Sequence, residues 1–400
     1  MKILHVSNFF KPSWEGGGPI RIVYETSKKM HEHGHDVTVY TTDGFQKCLN
    51  VKKNAPIELE GLQVYYFKNV SFFLSKNFAL PIPLLFPFVI KKEIGEFDII
   101  FIHEFRGFLA AITVYYAKKN GIPYFVYPHG SIPKGGGVKK ILKDIFDKIY
   151  GYSMLKNATQ IIAQNDHEIE ECKHYLGNND CKKILLIPLG VNLSEFIPVP
   201  PNGYLREKFH LKKDDKIILV LCRISKQKGI QLVVKTFYNI NKENKNYKLI
   251  IVGNDDGYLS DLKQLINTLG IGHSVFLPGP LFERDRIAAY VDADVFVLTP
   301  NHYEETSLAV LEACATGVPV IITHQNNVPY LQEYNAGYVI DYNQKQLEDC
   351  LIQLLSDNEL RKTMGKNAKK LIAEKFDIDI IIKLLEKYMA ACTHLNISHK

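Results

Sequence analysis

Short, almost wholly apolar segments alternate with helix-length segments along this chain, and the alternation runs twice. In the first half the apolar segments are 3–9, 37–42, 64–67, 99–103, 124–128, 160–164 and 184–188. They are rich in Ile, Val, Tyr and Phe and too short to be helices. A strand with one wet face alternates apolar and polar residues. A strand apolar throughout is buried on both faces, as in a parallel sheet layered by helices. The stretches 20–33, 110–120 and 139–156 have the length and polarity of covering helices. In the second half the segments 217–222, 248–252, 275–277, 295–298, 320–323 and 337–340 alternate with helical stretches at 230–241, 258–269, 284–290, 308–316, 346–356 and 359–375. Proline-rich 197–203 separates the two patterns. The expected fold class is α/β, with two doubly wound, Rossmann-like domains. The expected domains are residues 1–198 and 204–375, then a closing amphipathic helix at 376–391 and a flexible tail at 392–400.

A length of 400 residues also gives a prior of two or three domains. With 46% apolar and 23% charged residues the chain can build real cores, which excludes a disordered protein. The net charge of +6 is mild, and nothing points to nucleic acid. Seven scattered cysteines form no CxxC and no zinc spacing, as expected in a reducing, cytoplasmic compartment. Met1-Lys2-Ile3-Leu4 starts directly as a strand, so no leader peptide is expected.

Two segments bear on membranes. Residues 78–90 (FALPIPLLFPFVI) are apolar but too short and proline-rich to span a bilayer. They read either as a buried loop with a short helix or as a patch that dips into a membrane surface. Lys134, Lys139, Lys140, Lys143, Lys148 and Lys156 make a basic stretch with only Asp144 and Asp147 against them. It reads either as a solvated helix face or as a contact for a phosphate-rich partner or an anionic membrane surface.

Four places carry chemistry. Gly16-Gly17-Gly18 lies between the first strand and a helix, where backbone N–H groups favour a phosphate or a developing anionic oxygen; a tight surface turn would explain the glycines too. Its spacing fits neither GxGxxG nor a P-loop. Pro128-His129-Gly130 ends a strand on the side where such folds bind ligands, and His129 is either a sugar- or phosphate-orienting group or a structural histidine. Arg223 and Lys228 follow the first strand of the second half and suit a diphosphate, or else are ordinary solvated charges. Glu304 stands on a polar loop and Glu312 inside the apolar helical run Leu311-Glu312-Ala313-Cys314-Ala315. A carboxylate there needs partners, and ribose hydroxyls would suit. Ser307, Leu308 and Ala309 would offer helix N-terminal amides to a phosphate.

Together these residues resemble the family 4 retaining glycosyltransferases of the GT-B fold, along nearly the whole chain. The most specific part is Glu304-x7-Glu312 followed by Ala313-x-Ala315-x-Gly317-x-Pro319-Val320. Glu304-Glu305-Thr306-Ser307 stands where family members often carry Glu-Gly-Phe-Gly. The resemblance implies two domains facing a cleft. It also implies transfer of a sugar, with retention, from a nucleotide-diphosphate donor to a hydroxyl, and UDP is the slightly preferred nucleotide. Arg223, Lys228 and Glu304, with His129, would serve the reaction. Gly17, Gly18, Pro280, Leu281, Ser307, Leu308, Ala309 and Glu312 would complete the donor site. Gly16, Gly17, His129 and Gly130 would face the acceptor, expected to be a lipid-linked or cell-surface glycan intermediate at the inner membrane face. No metal or other cofactor is expected. The alternatives are a GDP-sugar transferase, a nucleotide-sugar epimerase and a non-catalytic nucleotide-sugar binder.

Overall fold

The computed structural model describes residues 1–14, 17–45, 47–78, 80–132 and 137–397. They divide into two compact units, Met1–Gly190 with Ile378–Lys400, and Val191–Asp377. The chain thus changes unit at 190/191 and again at 377/378. Residues 197–203 lie within the second unit. There the amides of Gly203 and Leu205 donate to the Asp292 carboxylate at 2.5 and 2.6 Å.

The first unit is built on an eight-stranded sheet. Its strands are β1 (Lys2–Val6), β2 (Asp36–Thr42), β3 (Pro56–Leu59), β4 (Leu62–Phe67), β5 (Ile99–His103), β6 (Tyr124–Tyr127), β7 (Gln160–Ala163) and β8 (Ile184–Leu186). Their order is β3-β4-β2-β1-β5-β6-β7-β8, parallel except for the edge pair β3–β4. Successive residues enter opposite cores. Ile3, Phe101, Phe125 and Ile162 pack on one face, and Leu4, Ile100, Val126 and Ile161 on the other. This double burial is why the strands read as apolar throughout.

The closing helix Ile378–Ile397 completes this unit. Ile378, Ile381, Ile382, Leu385 and Met389 recur at helical spacing and join the core that holds Ile3 and Val39. A polar clasp flanks them. His33 meets Asp379 at 3.0 Å and Glu386 at 3.1 Å, and His35 meets Glu386 at 3.0 Å.

The second unit has six parallel strands, β9 (Lys216–Leu221), β10 (Tyr247–Val252), β11 (Val275–Gly279), β12 (Val295–Leu298), β13 (Val320–Thr323) and β14 (Gly337–Ile340). Their order is β11-β10-β9-β12-β13-β14. Each sheet therefore reverses its strand order once, between β1 and β5 in the first unit and between β9 and β12 in the second. Loops at the carboxyl ends of such a strand pair diverge to opposite faces and leave a crevice, which is where open α/β sheets bind ligands.

Residues 78–90 divide between the two readings offered above. Helix Phe86–Glu93 buries Phe86 and Ile90, while Leu84, Leu85 and Phe88 stay exposed. Ala79 lies outside the described residues. The basic stretch forms helix Gly137–Phe146, a widened turn at Asp147–Gly151 and helix Tyr152–Asn157; Lys134 lies outside the described residues.

Candidate active site

In the second unit, the loops after β9 and β12 are tied together across the strand-order reversal. Asn301 N–H donates to the Gln227 carbonyl at 3.0 Å, and the Thr299 hydroxyl to the Gly229 carbonyl at 3.2 Å. Gly229 has φ +66°, and a Cβ there would lie 1.7 Å from the Thr299 carbonyl oxygen. No other residue fits, because the left-handed backbone and the close approach coincide. This closure brings Lys228 and Glu304 together, with Lys228 Nζ 2.6 Å from Glu304 Oε2, both largely shielded from solvent. Glu304 is further fixed by its amide, which donates to the Gln325 carbonyl at 2.8 Å.

Arg223 lies on the same loop but stands apart from this pair. Its guanidinium is exposed and pairs with Asp256 at 2.8 Å. The loops after β9 and β10 are zipped by Ile224 N–H to Asn254 O at 2.8 Å and Asp256 N–H to Ile224 O at 3.0 Å. Neighbouring Asp255 accepts from the amides of Gly257, Tyr258 and Leu259, and so shapes the turn into helix Leu259–Thr268. Pro280 and Leu281 follow β11, and the β11 carbonyl of Gly279 accepts from Gly253 N–H at 3.1 Å. Ser307 precedes helix Leu308–Thr316, so Leu308 and Ala309 contribute first-turn amides that have no acceptor within the helix.

Glu312 departs from the sequence reading. Its buried carboxylate has protein partners: Arg286 Nη1 donates to Oε1 at 2.7 Å and the Tyr290 hydroxyl to Oε2 at 3.1 Å. Arg286 also reaches Glu195 at 3.3 Å. Ribose hydroxyls are therefore not required to compensate its burial. The sequence analysis missed Arg286, Tyr290 and Glu195, which lie 22 to 117 residues away from Glu312 in sequence and give no local signal.

In the first unit, His129 (φ +49°) and Gly130 (φ +69°) form a turn with two left-handed residues, closed by Ser131 N–H to Pro128 O at 3.0 Å. The buried Glu168 carboxylate anchors it by accepting from the amides of Gly130 and Gln164, both at 2.9 Å. His129 does not stand alone. His5, His103 and His129 form a chain, with nitrogen-to-nitrogen distances of 2.9 and 3.0 Å and ring planes within 13° and 9°. The Gln164 amide donates to His129 Nδ1 at 2.7 Å. His129 and His103 then each donate from Nε2 to the next Nδ1, His5 ends the chain, and the accepting Nδ1 atoms require all three rings to be neutral. Burial lowers the pKa of His5 and His129 to about 3 and that of His103 well below its ordinary value. Gly17 (φ +84°) precedes helix Gly18–Glu32 and has open space around it, as does Gly18. Gly16 lies outside the described residues.

Comparison with known proteins agrees with this architecture. Residues 16–195 match the family described as Glycosyltransferase Family 4, and residues 204–371 match Glycosyl transferases group 1. An uncharacterized glycosyltransferase of Methanocaldococcus jannaschii is 25% identical over 392 residues, 96% of each chain. The UDP-Gal:alpha-D-GlcNAc-diphosphoundecaprenol alpha-1,3-galactosyltransferase of Escherichia coli is 28% identical over 297 residues, 72% of this chain and 74% of that one. The crystal structure of Anabaena HepE in complex with UDP superimposes with a TM-score of 0.78 at 17% identity, covering 98% of this chain and 100% of that one. Two Rossmann-like units, two adjoining family matches and this likeness over almost the full length identify the chain as a GT-B-fold glycosyltransferase related to the family 4 and group 1 glycosyl transferases.

Proposed function

We propose that this enzyme moves a sugar, with retention at the anomeric carbon, from UDP to a hydroxyl of a lipid-linked glycan at an anionic membrane surface. The Lys228–Glu304 pair carries the donor half of this reading. It is a cation and a carboxylate at 2.6 Å on the two loops that bound the crevice of the nucleotide-type sheet. Bound donor would give Lys228 a diphosphate oxygen in place of Glu304 Oε2, releasing that carboxylate to accept sugar hydroxyls. As the bond to the leaving diphosphate breaks, Lys228, Arg223 and the amides of Leu308 and Ala309 would stabilise the growing negative charge. Ser307, Pro280 and Leu281 would shape the donor site. Ribose would meet Glu312 by displacing Tyr290, whose bond is longer than that of Arg286. Gly17, Gly18, His129 and Gly130 would meet the acceptor and transferred sugar. UDP is favoured because both the E. coli relative and the HepE structure carry it in their descriptions.

A surface of the first unit supports the membrane half. Ile141, Ile145 and Ile149, one helical turn apart, are 60%, 51% and 61% exposed, and Leu142, Tyr150 and Tyr152 beside them are also exposed. Lys140 and Lys148 flank this strip. It continues into a groove of about 430 Å³ lined by Tyr115, Lys118, Lys119 and Ile149. Exposed aliphatic side chains bordered by lysines suit the boundary between acyl chains and anionic headgroups. Among the described residues no helix is long and apolar enough to cross a membrane.

A thermal-shift series with UDP, GDP, ADP and their sugars tests the donor, and flotation with phosphatidylglycerol vesicles tests the surface. Stabilisation by UDP compounds is expected, together with vesicle binding that salt weakens and that Ile145→Asp with Ile149→Asp abolishes. Stabilisation by GDP compounds alone would overturn the choice of nucleotide. Vesicle binding unchanged in the double variant would overturn the surface.

A further inference from the structure

We propose that the second unit holds a site for a neutral sugar ring, distinct from the Lys228–Glu304 pair, in a cavity of about 280 Å³ beside the edge strand β14. Ile322 of β13 and Val339 of β14 are register neighbours and floor this cavity. Side chains alternate along a strand, so Ile321 and Ile340 enter the core on the opposite face. The chain between the two strands folds over the floor in a series of turns. Asn326 N–H donates to the Thr323 carbonyl at 2.9 Å, Tyr334 N–H to Tyr330 O at 3.0 Å and Ala336 N–H to Leu331 O at 3.1 Å. Tyr330 stands in this wall at φ +66°, a left-handed conformation costly for an aromatic residue.

The observation that points to a ligand is Asn326. It lines the cavity and is 1% exposed, yet neither its Nδ2 nor its Oδ1 makes a hydrogen bond among the described residues. Buried polar side-chain atoms are nearly always paired, and an amide with both functions unpaired is costly. The backbone here does not need this side chain, because neighbouring peptides are already held. Glu304 N–H donates to the Gln325 carbonyl and the Thr306 hydroxyl to the Asn327 carbonyl, both at 2.8 Å. An apolar residue of similar volume would cost the fold less, so the amide serves what enters the cavity.

The lining selects the class of ligand. A primary amide matches two adjacent hydroxyls, one accepting from Nδ2 and the other donating to Oδ1. Gln332 and Glu333 bring further hydroxyl acceptors, and Ile322 with Val339 offers an apolar floor to the C–H face of a pyranose. No lysine or arginine is among the described residues that line the cavity, and His324, its one basic group, lies 3.9 Å from Asp341. A phosphate or carboxylate on the ligand would therefore go unpaired. The volume exceeds what a few waters fill, at about 30 Å³ each, and falls just below the roughly 300–1,000 Å³ of sites for larger organic ligands. One sugar ring fits that range. The site stands whether or not UDP is the donor nucleotide.

The test uses the full chain labelled with nitrogen-15 and follows the Asn326 side-chain NH2 signals, assigned by their loss from Asn326→Leu. The probes are methyl α-glucopyranoside, methyl α-galactopyranoside and methyl α-mannopyranoside at about 50 mM, well above a millimolar Kd. At least one should shift the Asn326 signals saturably, and should do so equally in Lys228→Ala and with UDP present. By saturation-transfer NMR, Asn326→Leu should weaken that sugar about tenfold or more, and Glu333→Ala severalfold. Asn326→Leu should melt no lower than wild type, because it removes no hydrogen bond to the described protein groups. Glucose 6-phosphate should bind about tenfold more weakly than glucose. Binding of the methyl glycosides alone assigns a free monosaccharide, and equal binding of maltose or lactose assigns the end of a glycan; both bear out the site. Asn326 signals that no pyranoside shifts overturn the proposal and leave a hydrated cavity. Affinity unchanged in both Asn326→Leu and Glu333→Ala also overturns it, as does displacement of the sugar by UDP, which would put the sugar in the donor site.

Discussion

Replacing Glu312 separates a structural role from a substrate role. Its partner Arg286 is buried, its side chain 10% exposed, and among the described residues would keep only the Glu195 carboxylate, at 3.3 Å. Arg286 Nε already lacks a hydrogen-bond partner among the described residues. Removing one member of a buried, hydrogen-bonded ion pair costs about 3–5 kcal/mol, mostly because the remaining charge is stranded. For a unit the size of 191–377, each kcal/mol lowers Tm by roughly 2–4 °C. Glu312→Ala should therefore melt on the order of 10 °C below wild type, with faster hydrogen exchange in helix Leu308–Thr316. Glu312→Gln keeps acceptor capacity and volume and should lose about half as much. Both should turn over more than tenfold more slowly, a loss of over ~1.4 kcal/mol of transition-state stabilisation. An unshifted melt for Glu312→Ala would refute the ion-pair argument. A destabilised Glu312→Gln with normal affinity for UDP would leave Glu312 a purely structural residue.

Other perturbations test separate parts of the account. Gly229→Ala forces a Cβ onto the Thr299 carbonyl at a left-handed position, so it should destabilise the second unit by more than about 2 kcal/mol and weaken UDP binding in calorimetry. Glu104 binds its proton more firmly in the folded chain, at about 7 against an ordinary 4.5. Folding stability should therefore fall as pH rises from about 4.5 to about 7, and at pH 8 Glu104→Gln should be more stable than wild type by up to about 3 kcal/mol in denaturant titration. Lys228→Ala, which strands the partly shielded Glu304, should cost more than tenfold in turnover while leaving the melt within a few degrees.

The central strands were legible because they are buried on both faces. Segments 99–103, 295–298, 320–323 and 337–340 coincide with β5, β12, β13 and β14 residue for residue. Strand β3 escaped because it is an antiparallel edge strand, its exposed Pro56 and Glu58 reading as loop. The turn joining it to β4 uses Glu60 and Gly61 in left-handed conformations, where Asn-Gly is the stronger signal. Helix Asp166–Leu176 escaped because it buries only Glu168 and Cys172, so no apolar stripe marks it. The closing helix was legible from its aliphatic spacing, whereas the change of unit at 190/191 was not. Local proline content pointed to 197–203, but the unit boundary follows long-range pairing such as Val191 with Asp377.

Local motifs led to Lys228 and Glu304, and the structure places them in contact. The partners of Glu312 and the imidazole chain behind His129 arise from packing between distant segments.

Release of UDP from a UDP-sugar, with the anomer of the released sugar followed by proton NMR, tests the central claim most directly. The account predicts that wild type releases UDP and first forms the α anomer from an α-linked donor, and that Lys228→Ala does so at less than a tenth of the rate. Binding of the UDP-sugar by wild type with no release of UDP to water or to a polyprenyl-linked acceptor would contradict it and identify the chain as a nucleotide-sugar binder.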